Sequence, residues 1–254
     1  GRLLPGPIAV PYTLMAGRHV IRLYDPALHV APPPSARQQE ERRSCDARWT
    51  VCQRPLVHVG AELGRDMLDL RYDAEEGVYH APPHLQANNG MLVFDDVGRQ
   101  RIAAAELLNR FIGPLDAGCD QLSLQGGQAE LVPFDAAVVF ATNLAPGSVF
   151  DDAALRRVGY KAEIGAWSPH AYRALLRRQC RMRRIEAEDA AVDHLVDRLH
   201  PQSGRPLLAC YPGELLDRVA DFAGFAGTEP RLTIAAVEQA WRSMFIAAAT
   251  EATK

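Results

Sequence analysis

The chain has 254 residues, a formal net charge of -3, and 48% hydrophobic against 23% charged residues. This length suffices for one large domain or two modest ones, each with its own core. The small net charge gives no overall electrostatic footprint for nucleic acid or an anionic membrane surface. No apolar run approaches the roughly 20 residues of a membrane span.

The cysteine and lysine content argues against two kinds of site. The five cysteines are odd in number and contain no CxxC pair, which favours reduced thiols in a cytoplasmic protein over a disulfide framework or zinc site. Lys161 and Lys254 are the only lysines, so no GxxxxGK[ST] phosphate loop lies within these residues. Because the first residue is Gly1 and not methionine, we expect further sequence upstream.

Short strands and polar loops are predicted for the first 90 residues. Runs of β-forming residues predict strands at 8–12, 20–24 and 56–59. A short helix is predicted from 61 to about 70. Prolines and charged residues mark 29–48 as a surface loop, and Pro82-Pro83 favours a loop over 77–90.

The middle of the chain alternates strands with helices. A strand over 91–95 is followed by apolar residues at helical spacing between 102 and 115. Gly126-Gly127 predicts a hairpin, after which comes a strand over 137–141. One last short strand is predicted at 162–164.

Helices alone are predicted after Gly165. Ser168-Pro169 is a typical helix start, with a capping hydroxyl followed by proline in the first turn. Apolar residues then recur at i, i+3, i+4 and i+7 in three segments, and such helices bury their apolar stripes against one another. We therefore predict an α/β domain over residues 1–166 and a small all-α bundle over 167–254.

Two of the predicted strands end in polar side chains. Residues 91–94 run into Asp95 and Asp96, and the strand at 137–141 runs through Thr142 into Asn143. In α/β nucleotide hydrolases, carboxylates at a strand end hold Mg²⁺ and orient the attacking water, and an amide from the next strand can reach the same water. Each feature alone has a simpler interpretation, because many strands end in an acid and asparagine often caps a turn.

The segment 151–157 adds a cationic element. Asp151 or Asp152 can cap a helix that ends in Arg156 and Arg157. Such a helix can present a guanidinium to the γ-phosphate held by a neighbouring subunit, as an arginine finger does. The alternative is that the arginines pair with the dipole at the helix C-terminus.

Other chemistries find little support in the sequence. His80 and His84 form an HxxxH pair, but Pro82-Pro83 between them prevents the helix that would bring both rings to one metal. The serines have no glycine elbow around them, which disfavours a serine hydrolase.

Taken together, five ordered segments resemble an AAA+ ATPase. The segments are MLVFDDVGRQR, ELLNRFIGPL, the hairpin QLSLQGGQAELVPF, VVFATN and DDAALRRVGYK. The resemblance is to MoxR-like, chaperone-associated bacterial ATPases that carry a hairpin before sensor 1. It implies a P-loop-type α/β core that is incomplete at its N-terminus, followed by a helical lid.

The resemblance also implies roles for individual residues. By position, Asp95 matches the Walker B ligand of Mg²⁺, Asp96 matches the catalytic acid and Asn143 matches sensor 1. Arg157 matches the arginine finger, with Arg156 as second choice. Arg99 matches an arginine that faces the pore or the neighbouring subunit.

Three features depart from the family pattern. The phosphate loop would lie just before residue 1, and Asp96 stands where glutamate is more usual. The sensor 2 arginine has no match in Tyr211-Pro212-Gly213-Glu214, and Arg205 is the nearest candidate for nucleotide contact.

The function implied by the resemblance is ATP hydrolysis in a homo-oligomeric, hexameric ring that remodels a protein partner, with ATP and Mg²⁺ as ligands. The sequence itself gives no strong signal for a nucleic-acid partner, although a local basic patch is compatible with it, and no membrane partner is expected. The alternative is a non-catalytic AAA+-like scaffold. Under either hypothesis the residues given should hydrolyse ATP weakly or not at all, because the phosphate loop supplies most nucleotide contacts.

Overall fold

The computed structural model describes residues 6–32, 46–125 and 127–245. The chain divides into two compact units, Gly1–Tyr160 and Lys161–Lys254. The functional division at residue 166, between a nucleotide-binding core and a lid, stays a prediction. Within the described ranges, no helix is both long and apolar enough to cross a membrane.

Most strands of the described chain belong to the first unit. They are β1 (Ile8–Pro11), β2 (Thr13–Ala16), β3 (His19–Arg22), β4 (Trp49–Cys52), β5 (Leu56–Val59), β6 (Arg71–Asp73), β7 (Val78–His80), β8 (Met91–Phe94), β9 (Cys119–Ser123), β10 (Ala129–Pro133) and β11 (Ala137–Phe140). The α-helices of this unit are α1 (Pro83–Gln86), α2 (Ala104–Ala117), α3 (Pro146–Val149) and α4 (Asp152–Arg157). The helix predicted from 61 to about 70 is present only as one turn of 3-10 helix, Arg65–Leu68.

A three-stranded parallel sheet of order β11-β8-β5 supports the predicted site. Val93 in the central strand lies opposite His58 on one side and Val139 on the other. Leu92 and Phe94 are fully buried, and the ring of Phe94 lies 5.1 Å from that of Phe111 on α2. The sheet is therefore anchored by apolar packing, which leaves its carboxyl-terminal edge for polar groups.

Gly90 lets β8 start close to β5. A Cβ atom at this position would lie 2.1 Å from the carbonyl oxygen of Pro55. The same oxygen accepts the backbone N–H of Met91 at 2.9 Å. Only a residue without a side chain fits here.

The remaining strands of the first unit form smaller sheets. β2, β3, β7 and β6 pair in that order, with β3 parallel to β7, and β1 pairs with β4. β9 and β10 form an antiparallel hairpin. Ile21 and Tyr79 are buried in the core beneath these strands.

The second unit is mainly helical. Its helices are α5 (Pro169–Arg183), α6 (Asp189–His194), α7 (His200–Ser203), α8 (Tyr211–Ala226) and α9 (Ile234–Met244). A π-helical stretch (Leu195–Leu199) joins α6 to α7. The Ser168 side chain accepts the N–H of Ala171 at 3.3 Å and caps α5. A separate core holds Tyr172, Leu176 and Leu215.

The predicted parallel sheet and the helical second part are confirmed. The strand at 56–59 has the predicted ends, and the strands at 91–95 and 137–141, the helix after residue 102 and the hairpin are present within four residues of theirs. Ser168 caps its helix as expected. Gly126 and most of the predicted loop 29–48 lie outside the described residues.

Three local predictions were wrong. Residues 162–164 form no strand, and Ile164 is 83% exposed and pairs with no strand among the described residues. The predicted loop 77–90 contains β7 and α1, since β7 is stabilised by pairing with distant β3. The second unit also contains a short parallel pair, β12 (Glu186–Ala187) and β13 (Arg231–Leu232), where helices alone were predicted.

Candidate nucleotide site at the sheet edge

The carboxyl ends of β8 and β11 meet as the sequence predicts. The N–H of Ala141 donates to the carbonyl of Phe94 at 2.8 Å, and the N–H of Val97 donates back to Ala141 at 2.9 Å. These bonds extend the pairing beyond the strands and place the residues after Phe94 beside those after Phe140.

Asp96 and Asn143 come together at this edge. The Nδ2 amide of Asn143 donates to Oδ1 of Asp96 at 3.4 Å, across 47 residues of sequence. Asp96 has a left-handed backbone, with φ 52°. Aspartate and asparagine tolerate this conformation better than most residues, and local strain of this kind is often found at functional sites.

Hydrogen bonds within the two loops fix this arrangement. The Thr142 hydroxyl donates to the carbonyl of Val97 at 2.9 Å and accepts the N–H of Leu144 at 3.1 Å. The Gln100 side chain donates to the carbonyl of Asp95 at 2.6 Å. The backbone that presents Asp96 and Asn143 is thus tied on both sides of the pair.

Asp95 faces the other neighbouring strand. Its backbone N–H donates to Val59 at 2.9 Å, and its Oδ1 accepts the N–H of Asp96 at 2.9 Å. Its Oδ2 lies 3.3 Å from Nε2 of His58 on β5. The two adjacent carboxylates therefore have different partners, Asp95 toward β5 and Asp96 toward β11.

Sequence reasoning missed His58. The strand LVHV alternates, with Val57 and Val59 buried and Leu56 and His58 exposed. The local signal that could have identified it is a titratable side chain at an exposed position of an alternating strand. The pairing order of the sheet, which brings β5 next to Asp95, could not be read from spacing.

The carboxylates suit a divalent cation. Mg²⁺ takes oxygen ligands and keeps several waters, so one or two carboxylates with room around them are sufficient. The Asp95 side chain is 48% exposed. Among the residues that the structure describes at this edge, the carboxylates of Asp95 and Asp96 could therefore hold the ion.

The candidate arginines lie in two places, Arg156 and Arg157 on α4 and Arg99 in the turn after the two carboxylates. Nε of Arg157 on α4 contacts Oδ2 of Asp116 on α2 at 3.2 Å, and Arg156 is exposed on the same helix. Arg99 donates its backbone N–H to the carbonyl of Asp96 at 2.9 Å and so closes the turn after the two carboxylates. The finger role of Arg157 or Arg156 depends on a neighbouring subunit and stays a prediction, as does the pore-facing role of Arg99.

Arg205 belongs to the second unit. Its guanidinium lies 3.7 Å from the centre of the Phe245 ring, in a cation–π contact. Its predicted contact with nucleotide stays a prediction.

His80 and His84 do not form a common site. His84 is buried and its Nε2 lies 2.8 Å from Asp120, whereas His80 lies 3.6 Å from Asp73. Ligand atoms of Asp73, Glu76 and His80 do lie within 4.8 Å of one another. Glu76 is already paired with Arg22 at 2.7 Å, which opposes a cation there.

Comparison with known proteins places these features in context. Residues 168–243 match a family model described as a domain of unknown function, DUF8689. A search of curated proteins gives no match.

Solved structures show the fold. NtrX from Brucella abortus in complex with ADP matches with a TM-score of 0.51 and 16% identity over 78% of this chain and 46% of NtrX. The NtrX complex with ATP gives 0.50 and 16% over 75% and 46%. A Thermotoga maritima RuvB mutant gives 0.43 and 15% over 61% and 46%, too low to carry an argument. The chain spans less than half of NtrX and shares the α/β fold of the part of NtrX that it matches.

Proposed function

We propose that the intact protein is an AAA+ ATPase that binds and hydrolyses MgATP, and that Asp95, Asp96 and Asn143 belong to its nucleotide site. The observation that carries the proposal is the contact between Asn143 Nδ2 and Asp96 Oδ1 at the carboxyl ends of adjacent parallel strands. The complexes of NtrX with ADP and ATP support a nucleotide as the ligand of this fold.

Each residue has a distinct task in the proposal. Asp95 holds Mg²⁺, which neutralises charge on the phosphates when bound. Asp96 accepts a hydrogen bond from the attacking water, and Asn143 fixes the orientation of Asp96 and of that water. Asp96 is one methylene shorter than glutamate, and its left-handed backbone sets where the short carboxylate points.

The test is ATP hydrolysis by the intact protein, expressed from its complete reading frame. Asp96→Asn and Asn143→Ala should each lower turnover by at least about 100-fold. Asn109→Ala is the matched control, because Asn109 is an exposed amide on α2 away from both strand ends. Unchanged turnover in Asp96→Asn would contradict the proposal.

Ring assembly with protein remodelling extends the proposal. The MoxR-like resemblance supports a hexameric homo-oligomer in which Arg157, with Arg156 as second choice, acts on the ATP of the neighbouring subunit. Asp96→Asn and Arg157→Ala subunits should each be inactive alone and should recover activity when mixed, since a mixed interface can combine an intact acid with an intact finger. Mixed rings without activity would contradict a finger in trans.

A non-catalytic scaffold is the second candidate. It is favoured by Gly213-Glu214 in the stretch that offers no match to the family's sensor 2 arginine, and by the packing of Arg205 on Phe245. An intact protein that binds ATP without turnover would support the scaffold.

A further inference from the structure

His58 and Asp95 meet through the register of the parallel sheet. β5 pairs with β8 so that His58 lies opposite Val93 and Val59 opposite Phe94. Asp95 follows Phe94, and its N–H donates to Val59. The imidazole of His58 thus lies beside the first residue beyond β8.

The Asp95 carboxylate is contacted on both oxygens. Oδ1 accepts the N–H of Asp96 at 2.9 Å, and Oδ2 lies 3.3 Å from Nε2 of His58. One oxygen thus has a backbone amide beside it, and the other has a side chain from the adjacent strand. The side chains of His58 and Asp95 are 58% and 48% exposed, so an ion and its waters have room beside them.

We propose that His58 is a positioning residue, which holds the Asp95 carboxylate in the orientation that receives a divalent cation. This inference rests on the proposed function of Asp95. Groups that hydrogen-bond a metal ligand hold it in the orientation for binding, and their loss typically costs roughly 10- to 100-fold in metal affinity. An exposed pair of this kind contributes little to folding stability, so its effect should appear in cation affinity.

The test uses Mn²⁺ alone as the probe, with the intact protein expressed from its complete reading frame at about pH 8 and water-proton relaxation as the readout. Asp95→Asn defines the part of Mn²⁺ binding that belongs to the site. His58→Val should weaken that part by roughly 10- to 100-fold. His58→Gln keeps a side-chain N–H donor of similar reach and should restore most of the affinity.

Both His58 variants should fold as the parent does. Valine suits an exposed strand position between Val57 and Val59, and melting temperatures of both His58 variants should match that of the parent. His80→Val is the matched control, because His80 also lies beside a carboxylate, 3.6 Å from Asp73, but on β7. It should leave the Asp95-dependent binding unchanged.

The outcomes separate the two claims. Asp95-dependent binding that is equally tight in the parent and in His58→Val would overturn the positioning role and leave the proposed function standing. Binding that does not change in Asp95→Asn would overturn the assignment of Asp95, and the role of His58 with it. Equal weakening in His58→Val and His58→Gln would also overturn the inference, since the retained donor would then have no effect.

Discussion

His84 and Asp120 form a buried pair in the first unit, with Nε2 of His84 2.8 Å from Oδ2 of Asp120 and side chains 1% and 4% exposed. Arg110 donates to both oxygens of the same carboxylate at 2.7 and 2.6 Å. Burial alone would raise the pKa of Asp120, but the hydrogen bonds from His84 and Arg110 outweigh it and lower the pKa to about 2. The network joins α1, α2 and β9.

Asp120→Asn should lower the free energy of unfolding by about 3 kcal/mol, because Arg110 would lose its buried counter-ion. Urea unfolding at neutral pH measures this change. Since the folded-state pKa lies below the ordinary 3.8, the stabilisation is present above pH 3.8 and is lost as pH falls toward about 2. Glu106→Gln, which breaks an exposed pair with Arg65, should cost less than about 1 kcal/mol. Equal losses in the two variants would contradict the role of the buried network.

The left-handed backbone of Asp96 should affect folding stability independently of catalysis. Asp96→Ala should unfold more easily than Asp96→Asn by roughly 1 kcal/mol, because alanine carries the full steric cost of positive φ and asparagine carries less. Chemical denaturation of both variants measures the difference. Equal stabilities would show that the turn after Asp95 relaxes when the carboxylate is removed.

His200 should make the second unit sensitive to acid. Burial lowers the pKa of His200 below 6.5, although its hydrogen bond to the carbonyl of Arg205 acts in the opposite direction. Below pH 6.5 the unfolded chain therefore binds a proton that the folded chain does not, and stability should fall by up to about 1.4 kcal/mol per pH unit.

Unfolding of the second unit, followed from neutral to mildly acidic pH, measures this dependence. His200→Gln should remove most of it, whereas His170→Gln, at an exposed position on α5, should retain it. An identical pH profile in His200→Gln would contradict the assignment.

Two glycines should respond in opposite directions to alanine. Gly90→Ala should destabilise the protein by about 3 kcal/mol, because the new Cβ would lie 2.1 Å from the Pro55 carbonyl oxygen and force β8 away from β5. Gly224→Ala lies within α8 with no atom near the added methyl and no proline after it, and should stabilise the protein by about 0.5–1 kcal/mol. Denaturation of both variants against the parent provides the comparison.

The sequence predicts those strands and site residues that are marked by the residues next to them in the chain. Apolar runs marked β5, β8 and β11, and the polar residues that follow them indicated the contact of Asp96 with Asn143. β7 was missed because it is only three residues long and is formed by pairing with β3, far away in sequence. His58 was missed for a related reason, since only the order of strands in the sheet brings it to Asp95.

The parallel pairing of β8 with β11 also constrains how the protein folds. The chain between these strands makes a helix and a hairpin before it returns, so the contact of Asp96 with Asn143 closes a loop of 47 residues. Closing such a loop has an entropic cost before its contacts stabilise it, and non-local pairing of this kind slows folding. Asn143 can therefore reach Asp96 only in chains in which β11 has docked beside β8.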